Sequence, residues 1–144
     1  MITNIGFVAE DPILAQTFVH VGDALASHKD IVCYYYTGGA ANDQIGSRLH
    51  TICIGASEKG ITPRTEESWQ NTFGSIFHQS LIIGVPKVVR TELDIVKALR
   101  PCGMKLLLVL ADDADAQIET GLVSRYFRCH EWREVVNAIL KQSQ

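Results

Sequence analysis

Four short stretches of this sequence combine polar side chains that could do chemistry. Glu10 and Asp11 follow one apolar run, and Asp112 and Asp113 follow another. Glu10, Asp11 and Asp112 could together hold a divalent cation through hard oxygen ligands, provided the fold brings them together. The competing use is helix capping, for which Asp11, Asp113 and Glu131 are well placed. Thr37-Gly38-Gly39 ends a third run, and glycines there would let backbone N–H groups approach an anion, with Arg48 as a phosphate partner. That stretch lacks the Lys of a P-loop and the third glycine of the dinucleotide fingerprint. Ser57 follows a fourth run, but no glycine stands two positions after it, so no nucleophile elbow forms.

The remaining candidates are weaker. His20, His50 and His78 have no Ser or Asp at a recognisable motif spacing. Cys129 and His130 are adjacent, and neighbours on a strand point to opposite faces, which argues against a thiol–imidazole couple. Cys33, Cys53, Cys102 and Cys129 form no CxxC pair and no zinc-like Cys-His spacing, so they read as reduced, structural thiols and no metal is expected. No cofactor is implied.

The elements that must position these residues alternate. Residues 2–9 read as a buried strand. A helix opens at Asp11-Pro12, with Leu14, Phe18, Val21 and Leu25 on one face. Residues 31–36 (IVCYYY) and 51–56 (TICIGA) read as strands. Thr62-Pro63 opens a helix with Trp69, Phe73, Ile76 and Phe77 in its apolar stripe, and His78 falls in the same helical pattern. Pro86 is poorly tolerated inside a central strand, so the next strand is expected after it, at 87–90. A helix with Leu93, Val96 and Leu99 follows. Residues 104–110 (MKLLLVL) form the strongest buried strand and 125–129 the last one. The closing helix sets Trp132, Val135, Val136, Ile139 and Leu140 on one face. Parallel strands need crossover connections, so this alternation predicts an α/β fold, a three-layer α/β/α domain with a mainly parallel sheet of five or six strands.

Composition narrows the classes. The 144 residues are 47% apolar and carry 13 basic and 16 acidic side chains, a net charge of −3, which excludes a disordered chain. The length fits one domain spanning 1–144. No apolar run reaches the roughly 18 residues of a membrane span, and the turn at Glu10-Asp11-Pro12 comes too early for a secretory signal. A cytoplasmic location is the expectation. Without a block of Lys or Arg, sequence-independent nucleic-acid binding has little support.

The two ends of the chain resemble the receiver domain of response regulators. IGFVAEDPILAQTF is similar to that family's first strand, acidic turn and first helix. MKLLLVLADDADAQIETGLVSRYFRCHEWREVVNAILK is similar to its fourth strand through fifth helix, and VPKVVRTELDIVKALRP to its third strand and helix. The resemblance implies a flavodoxin/receiver-like fold with an insertion at 37–84. It also implies a magnesium site and a phosphoryl-accepting Asp, with a Ser or Thr after the fourth strand and a Lys after the fifth. This sequence departs from that set. Ala9 and Glu10 stand for the acidic pair, Arg90-Thr91-Glu92 offers no Asp, Ala111 replaces the hydroxyl, and Cys129 and His130 replace Lys and Pro.

The expectation is therefore a non-catalytic regulatory or assembly domain, acting through a protein partner or self-association. Trp69, Phe73, Phe77 and Trp132 would be its contact residues, because aromatic anchors concentrate at interfaces. The alternative is a small nucleotide- or metabolite-binding domain, which could be an enzyme. Its site would lie at the carboxyl ends of the strands, among Glu10, Asp11, Thr37, Gly38, Gly39, Ser57, Asp112 and His130.

Overall fold

The computed structural model describes residues 2–9, 11–37, 41, 51–53, 70, 78–86, 97, 99, 101, 103, 105–113 and 125–142. Six strands, β1 (Thr3–Ala9), β2 (Ile31–Thr37), β3 (Thr51–Cys53), β4 (Ser80–Val85), β5 (Lys105–Leu110) and β6 (Arg125–Arg128), form one sheet in the order β3-β2-β1-β4-β5-β6. Every pairing is parallel, so the chain must cross over between each pair, and the α/β class read from the alternation holds.

Helix α1 (Pro12–Leu25) and helix α2 (Trp132–Gln142) pack together on one face. The apolar spacing explains why: Leu14, Phe18, Val21 and Leu25 are all buried, as are Val135, Val136 and Ile139. They cover Ile5, Phe7, Ile82, Leu107, Val109 and Phe127. The alternate residues Val8, Tyr36, Leu81, Ile83, Leu106 and Leu108 are equally buried but lie outside that cluster, so the central strands are covered on both faces. The segments expected to form a second helical layer over that other face fall outside the described residues, apart from single positions. Tyr34, Tyr35 and Tyr36 alternate as strand residues must: Tyr35 stacks on Phe7 at 5.5 Å, while Tyr34 and Tyr36 meet His78 on the opposite side.

Two expectations need correction. A central strand, β4, lies before Pro86, where none was expected, so residues 80–84 belong to the centre of the sheet and not to an insertion, while residues 87–90 lie outside the described residues. Gly84 does not break β4 because it answers a packing need. A Cβ there would lie 3.1 Å from Leu14 Cβ and 3.2 Å from Phe18 Cε2, so its absence lets α1 lie close on the sheet. Pro86 then stands just past the strand, where its missing N–H breaks no ladder bond. The second correction is His78, which is not helical. It lies fully buried just before β4. Gln79 beside it holds the amino ends of three strands in register. Asn4 N donates to Gln79 Oε1 (2.6 Å), Gln79 N to Asn4 O (3.0 Å), and Lys105 N to Gln79 O (3.1 Å).

Gly22 makes the other close approach, because the Tyr35 hydroxyl occupies the space a Cβ would need, with Cζ 3.0 Å from that position. Gly22→Ala should destabilise the protein by up to about 2 kcal/mol in urea titrations. Overpacking costs roughly 1–3 kcal/mol, and helix propensity returns about 1 kcal/mol. Adding Tyr35→Phe should recover part of that loss, whereas an unchanged deficit would show that the hydroxyl is not the obstacle.

Candidate functional site

The strands leave β1 and β4 in opposite lateral directions, towards β2 and β5 respectively. In open parallel sheets this reversal opens a crevice beyond the carboxyl ends of the two strands. From there the polar rim can be followed strand by strand.

After β1, Asp11 caps α1. Its Oδ2 accepts from Ile13 N (2.9 Å) and Leu14 N (3.0 Å), and Pro12 takes the first helical position. The carboxylate thus satisfies amides that an anion would otherwise use, and capping is what this acid does. At the end of β2 Thr37 is buried, and at the end of β4 Val85 is buried with Pro86 half-buried. The ladder between β4 and β5 continues one step further, from Ala111 N to Val85 O at 2.9 Å.

The ends of β5 and β6 carry the densest polar geometry. Arg128 reaches back so that Nη1 donates to Ala111 O at 2.9 Å. Its backbone N donates to Glu131 Oε1 at 2.8 Å, which fixes the turn of Cys129–Glu131 leading into α2. His130 Nδ1 lies 2.8 Å from Asp112 Oδ1, and the His130 backbone N donates to the same oxygen at 3.3 Å. Both side chains are exposed, at 69% for His130 and 56% for Asp112. The hydrogen bond from His130 is the main reason that the Asp112 carboxyl titrates below its ordinary range.

Cys129 and His130 point apart, as expected, although through a turn of 3-10 helix and not along a strand: Cys129 is buried and His130 exposed. Burial raises the Cys129 thiol, against a weaker opposing hydrogen bond from Thr17, and pushes Cys33 up to about 12. Neither is a thiolate nucleophile at neutral pH. Trp132 is half-buried against the α1–α2 core, stacked on His20 at 5.7 Å with the Arg133 guanidinium 4.5 Å from its ring centroid.

Of the candidate site residues, Asp112 and His130 are brought into contact. Asp11 is committed to its cap, and Thr37 lies at the end of β2. Glu10, Gly38, Gly39, Ser57, Trp69, Phe73 and Phe77 lie outside the described residues. Among the described residues, no three His, Cys, Asp or Glu side chains converge as metal ligands, and no helix is long and apolar enough to cross a membrane. One polar pair escapes the sequence reading. On the sheet face away from α1, Tyr36 Oη and His78 Nε2 are hydrogen-bonded at 2.6 Å, 42 residues apart in sequence, and both side chains are buried. Reading His78 as helical hides this pair.

No protein family matches the sequence, and no curated protein or solved structure matches it either.

Proposed function

We propose that this chain is a small-molecule-binding α/β domain whose ligand, a nucleotide or similarly polar metabolite, lies across the carboxyl ends of β1, β2 and β4. The observation that carries the reading is the strand order. With β3 added outside β2, the sheet follows the doubly wound order associated with nucleotide binding, reversing between β1 and β4. The acidic turn after β1 argues against the usual dinucleotide arrangement. Asp11 already fills the α1 amino end, so a phosphate finds no free amides at Ile13 and Leu14. An anionic group of the ligand is better served by the Thr37-Gly38-Gly39 sequence, where glycines let backbone N–H groups approach an anion.

A thermal-shift panel of nucleotides, nucleosides and sugar phosphates tests this reading. A ligand at about 100 times its Kd should add roughly 2.7 kcal/mol of apparent stability. A flat panel would overturn the reading.

A second reading, a receiver-like regulatory or assembly domain working through a protein partner or self-association, has one observation in its favour. With the third receiver-like strand placed at Ser80–Val85, the position following it is Pro86, so no phosphoryl-accepting carboxylate stands there either. Acetyl phosphate and magnesium should then leave the intact mass unchanged, and a stable phospho-adduct would remove this reading.

A further inference from the structure

We propose that Asp112 and His130 form a proton-accepting dyad, with His130 Nε2 as the acceptor for a hydroxyl of a ligand held at the carboxyl ends of the strands. The proposal deepens the small-molecule reading above and rests on it for the identity of the ligand, but not for the chemistry of the dyad.

Two contacts define the geometry of the turn. Asp112 Oδ1 is engaged both by His130 Nδ1 at 2.8 Å and by the His130 backbone N at 3.3 Å, so the carboxylate orients the ring and its backbone together. An ionised carboxylate only accepts, so the bond requires the proton on Nδ1 and leaves the Nε2 lone pair free in the neutral ring. The ring is exposed. The turn itself is held in place, because Arg128 is tied to Ala111 O on one side and to Glu131 Oε1 on the other. A proton taken at Nε2 from a ligand O–H would give an imidazolium paired with the Asp112 carboxylate, while the electron pair stays on the ligand oxygen. That is the arrangement general-base chemistry uses, in which a third group orients the base. The site also lies where a ligand could reach it. β6 is two strand spacings from β4, about 10 Å, on the same edge of the sheet as the crevice.

An exposed ion pair with no chemical role would share both the 2.8 Å contact and the Nδ1 tautomer that follows from it, so the reactivity of Nε2 is what separates the two. Nitrogen-15 NMR of the full chain at a pH where His130 is neutral should show the proton on Nδ1. Diethyl pyrocarbonate, which acylates the free ring nitrogen, should modify His130 several-fold faster than the exposed His28 of the same molecule. Asp112→Ala should abolish both the tautomer preference and the rate difference while leaving His28 unchanged. A neutral ring protonated at Nε2, or a rate advantage that survives Asp112→Ala, would overturn the proposal. Neither measurement needs a ligand, so a flat nucleotide panel and a failed dyad are separate results.

Discussion

Lowering the pH from 7 to 4 is expected to remove about 3 kcal/mol of folding stability through His78. The ring is fully buried, and desolvation lowers its pKa from 6.5 to about 4. In the unfolded chain the same group takes up a proton near its ordinary value. Above pH 6.5 both states hold a neutral ring and no penalty exists. Below it the unfolded state gains protons first, so stability falls until the folded ring also titrates near pH 4. A gap of about 2.5 pKa units at 1.36 kcal/mol each sets the scale. The partner sharpens the effect. Burial, with Tyr34 adding to it, pushes Tyr36 up to about 12, so its phenol stays neutral. With the phenol donating to Nε2, the ring proton sits on Nδ1, which has no hydrogen-bond partner among the described residues. Urea titrations of the wild type and His78→Phe between pH 7 and pH 4 check this. The variant should be less stable at pH 7, because the Tyr36 hydroxyl loses its partner, at about 1–3 kcal/mol. That gap should close or invert on acidification. Parallel pH profiles would show that His78 does not set the acid limb.

The other large effect is expected at Gly84. Replacing it with Val crowds new methyl groups against Leu14 Cβ and Phe18 Cε2, which stand only 3.1 and 3.2 Å from where a Cβ would be. Leu14 Cβ is fixed to the α1 backbone, so the helix must lift from the sheet at the point where β1 and β4 diverge. A loss of about 3 kcal/mol is expected, at the upper end of ordinary overpacking. It would be read as a lower urea midpoint at unchanged slope. Gly6→Ala provides the contrast. The nearest atom to its new methyl is Leu81 Cδ1 at 2.6 Å, the tip of a flexible side chain that can turn away. Its cost should stay near about 1 kcal/mol. Any ligand affinity should suffer in Gly84→Val far more than in Gly6→Ala, since only the first moves α1 at the crevice.

The fold is legible in the sequence where one signal dominates. KLLLVL is a buried strand by composition alone. The i, i+4, i+7 and i+11 spacing of Leu14, Phe18, Val21 and Leu25 leaves little room for anything but an amphipathic helix, and all four are buried. Residues 78–90 mislead, because two general rules about glycine and proline outweigh the apolar run LIIGV. Gly84 has the look of a strand breaker, yet its role is set by a side chain of α1, Leu14, which no local window around β4 contains. The site is legible in parts. Asp11 and Pro12 announce a cap through a standard pairing of residue types, and the cap forms as read. Asp112 and His130 each fall on the rim from sequence alone, but their contact spans 18 residues and depends on β5 and β6 being neighbours. Tyr36 and His78 are further out of reach, because their bond joins β2 to the residue that leads into β4, and β1 lies between those two strands in the sheet.

The parallel sheet also dictates an order of events in synthesis. β1 lies between β2 and β4, and its bond from Asn4 to Gln79 closes over 75 positions of chain. A ribosome must therefore deliver the chain past residue 80 before β1 can gain its second neighbour. Until then one side of a strand as apolar as IGFVA stays open, with unpaired backbone N–H and C=O groups along it. Such long-range closures fold slowly and leave nascent edges exposed to wrong pairing. The interval between the emergence of residue 9 and that of residue 80 is thus the period in which the open edge of β1 is most exposed to wrong pairing.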